Sequence, residues 1–255
     1  MSNRALSIAF ATLATILGIF CVLFLSNPLR FASGKQLADH FLADHPVVDQ
    51  FHKLYYDNPE TWSTRWLGLE TLQNPNDVWM IQEIICEVRP DLIIEAGTRA
   101  GGSAAIWAMV LQQVNPNGRV ITIDIKDYVP SEARDLPIIK EKVDFLLGSS
   151  TDPKIVDEIR RRTEGKKVLV ILDSDHSKNH VLNEMIAYGP MVTKGSYMIV
   201  QDTNINGHPV LPDFGPGPWE ALDEYLPKNE QFQPDKSRER LMFTMHPRGF
   251  LRRIE

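Results

Sequence analysis

From residue 91 onward, short continuous apolar runs alternate with longer stretches whose apolar residues recur every three or four positions. The short runs are Asp91–Glu95, Arg119–Ile125, Val143–Leu147, Lys167–Leu172 and Ser196–Gln201. Their continuous character predicts strands buried on both faces of a parallel sheet. The intervening stretches Ser103–Val114, Asp152–Arg162 and Asn179–Met191 read as helices. Asn76–Val88 reads as an amphipathic helix before the first strand, with Val78, Ile81, Ile84, Ile85 and Val88 on one face. Strand and helix in alternation predict a doubly wound, mostly parallel α/β sheet. Near the end, Arg240–Met245 and Phe250–Arg253 flank His246-Pro247-Arg248-Gly249, which predicts an antiparallel hairpin at the sheet edge.

The N-terminal quarter has a different pattern. Ala5–Leu25 is uncharged and almost wholly apolar. That length suits an uncleaved transmembrane helix, and the following Ser-Asn-Pro-Leu-Arg lacks a clear small-residue cleavage site. The expected organisation is an anchor at 1–25, a juxtamembrane connector at 26–60 and an α/β domain at 61–255. Asp49–Gln73 is rich in aromatics, among them Phe51, Tyr55, Tyr56, Trp62 and Trp66. It reads as an accessory segment packed on the main domain, with a cover over the site as the alternative.

Composition narrows the class. The 255 residues carry a net charge of −6, which argues against a nucleic-acid partner. Two cysteines, Cys21 and Cys86, argue against a disulfide framework and against a cysteine-rich metal site.

The candidate chemistry lies where strands end. Asp91–Ser103 reads as strand, tight turn and helix start, with Gly97, Gly101 and Gly102 in the turn. Such a turn brings bare backbone and helix N–H groups to a ligand, and a nucleoside cofactor is the natural candidate. Glu95, Asp124, Asp173 and Asp202 close four of the five strands. In an open α/β sheet these ends form one rim, where ligands bind. Asp124 is placed to bind ribose hydroxyls. Asp173, Asp175 and Asp202 suit a hard divalent cation such as Mg²⁺, and His176 beside them is a candidate general base or further ligand. Thr98, Gly102, Ser103 and Ser149 complete the set of candidate cofactor contacts.

Together LIIEAGTRAGGSA, VITIDI, VLVILDSDHS, YMIVQDT, GPGPWEALDEYL and RLMFTMHPRGFLRRI resemble the cephalosporin hydroxylase-like family. The resemblance runs from about Trp62 to Ile254. That family has the fold of S-adenosylmethionine-dependent methyltransferases and includes rhamnosyl O-methyltransferases of glycolipid assembly. The resemblance implies a seven-stranded, Rossmann-like sheet with a C-terminal hairpin. It implies cofactor contacts at Glu95, Gly97, Gly101 and Asp124. It also implies a metal near Asp173 and the Gln201-Asp202 pair. The family usually shows Glu-Asp there; the Gln201 oxygen can coordinate Mg²⁺ but brings no charge.

The function expected is methyl transfer from S-adenosylmethionine to a hydroxyl, with Mg²⁺ holding the acceptor oxygen and His176 or Asp173 taking the proton. Asn204–Pro218, rich in Gly and Pro, is a candidate cover for the acceptor. The acceptor is a small-molecule or lipid-linked hydroxyl compound. The anchor implies a single-pass membrane protein, with its domain in the cytosol where the cofactor is made. A homo-oligomer is left open. Two rivals stand: a nicotinamide-dependent oxidoreductase, against which the turn lacks Gly-x-Gly-x-x-Gly, and a non-catalytic binding protein, which Gln201 favours.

Overall fold

The computed structural model describes residues Pro46–Glu255. Helix α1 spans Pro46–Asp57 and is followed by a two-stranded hairpin, β1 (Arg65–Trp66) and β2 (Leu69–Glu70). Then come α2 (Pro75–Val88), β3 (Leu92–Ala96), α3 (Gly102–Val114) and β4 (Arg119–Asp124). Two short helices, α4 (Ser131–Asp135) and α5 (Pro137–Lys142), lead into β5 (Val143–Leu147). The order continues with α6 (Pro153–Thr163), β6 (Val168–Leu172), α7 (Lys178–Tyr188) and β7 (Tyr197–Val200). It closes with α8 (Pro218–Tyr225), β8 (Phe232–Pro234) and β9 (Phe250–Arg253).

Several helix starts follow local rules. Asn74 and Asp152 accept hydrogen bonds from Asn76 N–H and Lys154 N–H, and each is followed by proline at the first helical position. At α8, Glu220 reaches back to accept from Gly217 N–H at 2.7 Å. The α2 helix ends on Arg89 in the left-handed region, φ 49°.

Seven strands form one sheet in the order β5-β4-β3-β6-β7-β9-β8. The pairs from β5 to β7 are parallel, and β9 pairs antiparallel with both β7 and β8. The chain runs outward from β3 to β5 and then returns to β6, so β3 and β6 flank the point where strand order reverses. A ligand crevice is expected there. Side chains alternate between two buried layers, as the strand period requires. Ile93, Val120, Leu169, Ile171 and Ile199 pack with α2 and α3. Leu92, Ile94, Ile121, Val170 and Met198 pack with α6, α7 and α8.

The antiparallel C-terminal strands are present, but their composition differs from expectation. Arg240–Met245 is not a strand; β9 pairs instead with Phe232–Pro234. The cause is a buried carboxylate. Asp77, 1% exposed, accepts from the Thr244 hydroxyl and from Met245 N–H at 2.9 Å. Asn76 also bonds the Leu241 carbonyl. Those groups are spent on the start of α2, so the segment makes no ladder with β9.

The expectation of a single-pass membrane protein is corrected. No helix among the described residues is long and apolar enough to cross a membrane. Their longest, α2, has 14 residues and spans about 21 Å, short of a hydrocarbon core of roughly 30 Å. The segment Ala5–Leu25 on which that expectation rested lies outside the described residues. So does most of the stretch read as a connector, although α1 falls in its last part. There His52, 3% exposed, bonds Asn204 at 2.9 Å, so α1 packs on the α/β core.

Two glycines are dictated by close approach. A Cβ on Gly97, φ +101°, would lie 1.9 Å from the Asp173 carbonyl oxygen. A Cβ on Gly102 would lie 2.4 Å from the Glu70 carbonyl oxygen. Gly97→Ala should therefore destabilise the domain by about 2–4 kcal/mol, because both the φ and the neighbouring backbone reject a side chain. Chemical denaturation measures this, and an unchanged midpoint would show that β3 and β6 need not approach so closely.

Candidate active site

The turn leaving β3 is knitted to the ends of its two neighbours. Gly97 N–H donates to the Ile123 carbonyl, and Asp173 N–H to the Ala96 carbonyl, both at 2.8 Å. Asp124, at the end of β4, accepts from Arg99 N–H at 2.9 Å and Lys126 N–H at 3.1 Å. Beside it opens a cavity of about 190 Å³, lined by Thr98, Asp124, Lys126, Val129, Phe145 and Leu147 among others. Asp124 on one side, with Val129, Phe145, Leu146 and Leu147 as apolar wall and Asp127, Lys126 and Arg134 as polar lining, suits a ribose and a flat base.

Glu95 lies beneath the turn. It accepts from Trp107 Nε1 at 2.8 Å and from the Thr122 hydroxyl at 2.7 Å, and is 1% exposed. Burial pushes its pKa up to about 7, against the donors that favour the charge. Thr98 shares a hydrogen bond with Thr122 at 2.7 Å, so the acid and the turn form one network. Gly101, φ +80°, precedes α3, and Gly102 and Ser103 open it, all three buried. Ser149 sits in the next rim loop and bonds Thr151 at 3.0 Å. Of the candidate cofactor contacts, Thr98 and Asp124 line the cavity.

Across the order reversal, Asp173, His176 and Asp202 converge. One ligand atom of each lies within 4.8 Å of the others. His176 Nε2 is 3.1 Å from Asp202 Oδ2. Burial, together with the Asp202 and Glu95 charges, pushes Asp173 well above the ordinary carboxylate range. A hard cation at this point would relieve that crowding, and the donor set fits one.

Asp202 has an unusual backbone. Its φ of 53° is in the left-handed region, sparsely populated by residues other than glycine. Its N–H donates to Nδ1 of His246 at 3.0 Å. His246 is 2% exposed, and its accepting Nδ1 places the proton on Nε2, which faces Asp77 at 3.7 Å. The strained residue is thus held from behind by a buried imidazole.

Asp175 is not part of the converging trio, and Gln201 meets Asp173 through Gln73. Gln201, 2% exposed, accepts at Oε1 from Gln73 Nε2 at 2.9 Å. The same Gln73 nitrogen donates to Asp173 Oδ2 at 2.9 Å. Just before α7 the Ser177 side chain hydrogen-bonds Asp175, and Ser177 N–H donates to it at 2.8 Å; together they lower its pKa.

Two segments border this region. Residues 204–218 form a loop gathered around Glu220, which accepts from Asn206 and Gly217 and bonds His208. The His208 ring stacks on Trp219 at 4.2 Å, with Arg248 on the same indole at 4.4 Å. On the other side, Tyr56 of α1 stacks with Trp62 at 5.8 Å. Burial and the Asp202 charge push the Tyr56 phenol up.

The sequence reading did not single out Gln73, His246 or Asn204. Gln73 precedes an Asn-Pro helix start and looks like an ordinary connector residue. His246 sits in what reads as a hairpin turn. In neither case does a local pattern show a partner more than forty residues away.

Comparisons with known proteins agree with the fold described above. The family model Rhamnosyl O-methyltransferase/CmcI matches residues 59–254. A rhamnosyl O-methyltransferase of Mycobacterium tuberculosis (strain ATCC 25618 / H37Rv) is 41% identical over 211 residues, covering 80% of this chain and 84% of the relative. Another, from Mycobacterium leprae (strain TN), is 40% identical, covering 80% and 90%. Among solved structures, a CmcI complex with Mg and SAM superposes with a TM-score of 0.58 at 20% identity, covering 77% of this chain and 78% of that one. An apo-structure of CmcI gives the same TM-score and coverage at 22% identity. At such identity the structural match speaks for the fold, and the sequence relatives carry the rest. The chain belongs to the rhamnosyl O-methyltransferase/CmcI family and is an S-adenosylmethionine-dependent O-methyltransferase.

Proposed function

We propose that this enzyme methylates a sugar hydroxyl, assisted by a divalent cation held by Asp173 and Asp202. The observation that carries the reading is the convergence of Asp173, His176 and Asp202 within 4.8 Å at the end of β6 and β7. The names of the rhamnosyl O-methyltransferase relatives support a sugar as acceptor.

The cofactor supplies an electrophilic methyl group, and the cation supplies a Lewis acid that makes an acceptor hydroxyl easier to deprotonate. The residues divide the remaining work. Asp124 and the turn after β3 hold the ribose end of the cofactor. The two carboxylates on β6 and β7 offer the oxygens that Mg²⁺ prefers. His176, 31% exposed at the side chain, is free to pass a proton to solvent. With Nε2–H directed at the Asp202 carboxylate at 3.1 Å, the ring would collect a proton at its other nitrogen, Nδ1. The loop around Glu220 and the Tyr56–Trp62 pair wall the acceptor side and exclude water.

Two outcomes test this reading. Asp124→Ala should weaken S-adenosylmethionine binding by roughly 10- to 100-fold, because hydrogen bonds from ribose hydroxyls to a charged acceptor are lost. Calorimetry measures it, and unchanged affinity would remove Asp124 from the cofactor site.

Excess chelator should abolish transfer to a rhamnoside acceptor while cofactor affinity stays within about twofold, and Asp173→Asn should behave like the chelated enzyme. Full turnover in chelator would take the cation out of the mechanism and leave His176 to act alone.

A further inference from the structure

We infer that Gln73 is a positioning residue of the cation site, and that Gln201 acts through Gln73 rather than as a ligand. The inference rests on the metal-assisted reading above and assigns work to a segment outside the sheet.

Gln73 lies between β2 and the cap of α2, and its backbone is gripped at one point. The Thr64 hydroxyl donates to the Gln73 carbonyl at 2.9 Å and accepts from Gln73 N–H at 3.2 Å. Leu72 before it has φ 51°, and Asn74 after it caps α2. The side chain therefore leaves a fixed origin and enters the rim, where it is 3% exposed.

Both amide hydrogens are used there, one on Asp173 Oδ2 and one on Gln201 Oε1, each at 2.9 Å. The acceptors follow Leu172 and Val200, which are paired across β6 and β7. One amide thus spans two neighbouring strand ends and fixes how Asp173 presents itself. With one oxygen committed to Gln73, the other is left for a cation.

The cost of this arrangement is visible. Gln73 Oε1 and Gln201 Nε2 are buried without a partner. Neither amide can be turned to relieve it. Turning Gln73 would aim its carbonyl at a carboxylate and at a second carbonyl. Turning Gln201 would set NH₂ against NH₂. Here two hydrogen-bonded amides each carry an unpaired buried atom, which costs free energy and is explained by the orientation they hold. The Gln201 oxygen is committed to Gln73, and amide nitrogen is no ligand for a hard cation. Gln201 is therefore the second foot of Gln73.

The test uses Mn²⁺ as a paramagnetic stand-in for Mg²⁺, titrated into the full-length chain and read by electron paramagnetic resonance. Cofactor affinity by calorimetry and thermal midpoint are measured alongside. Gln73→Met keeps the length and removes the donors. It should weaken Mn²⁺ roughly 10- to 100-fold, the usual loss for an outer partner of a metal ligand, and leave cofactor affinity within twofold. Gln73→Asn keeps the amide but shortens its reach, and should weaken Mn²⁺ in the same direction if Gln73→Met fails to fold. Gln201→Met should weaken Mn²⁺ less than Gln73→Met. The double variant should lose no more than Gln73→Met alone, because the two residues act as one unit. Mn²⁺ affinity within twofold of wild type in both Gln73 variants would overturn the inference. So would additive losses in the double variant, which would make Gln201 a ligand in its own right. A wild-type chain that binds no Mn²⁺ would instead overturn the metal-assisted reading and this inference with it.

Discussion

The site is built on a contact between two backbones. Where residue 97 would carry a Cβ, the Asp173 carbonyl oxygen stands only 1.9 Å away. This brings the end of β3 against the end of β6 at the point where strand order reverses. The turn after β3 leads to the Asp124 cavity, and the residue that follows β6 is the first of the converging trio. The Asp124 cavity and the trio are therefore registered by main chain, with no flexible side chain between them. Methyl transfer needs the reacting atoms in line, and an error of about 1 Å in such a reaction can cost about a hundredfold. A backbone joint is well suited to hold that tolerance, since its geometry is set by two ladders rather than by rotamers.

The same joint concentrates negative charge. Glu95, Asp124, Asp173 and Asp202 all end strands along one rim. Three of these carboxylates are managed with neutral donors. Glu95 has Trp107 and Thr122, Asp124 has two backbone N–H groups, and Asp173 has Gln73. Asp202 has the imidazole of His176, while its backbone is tied to His246. Hydrogen bonds from neutral groups favour the charged form without cancelling the charge. The rim therefore keeps a demand for positive charge, which a sulfonium cofactor or a divalent cation would meet. Arginine in the same places would have countered the charge and weakened that demand.

What could be read in the sequence follows from this division. Continuous apolar runs such as Leu92-Ile93-Ile94 announce strands buried on both faces, because parallel strands leave no polar face to vary. The glycine turn and the strand-end acids were legible because the fold itself puts strand ends together. The C-terminal hairpin was misplaced because Arg240–Met245 has strand-like residues whose backbone is claimed by Asp77, a partner 168 residues away at its farthest bond. The roles of Gln73 and His246 were hidden for the same reason. Each reads locally as turn or connector, and its partner lies on another element.

The off-sheet segments explain why the site needs more than a methyltransferase sheet. The sheet alone places Asp173 and Asp202 on adjacent strands, but adjacency does not orient a carboxylate. Orientation comes from Gln73, delivered by the β1–β2 segment, and from His246, delivered by the segment before β9. Asn204, two residues beyond Asp202, is held in turn by His52 of α1. Burial pulls the His52 pKa down to about 4, so it stays neutral at ordinary pH and accepts the Asn204 amide without adding charge to the network. Three segments distant in sequence thus converge behind two neighbouring strand ends. The aromatic stretch near the start of the described chain packs on the core in two places: its helix holds the base of the loop at 204–218, and the segment after it carries Gln73 to Asp173.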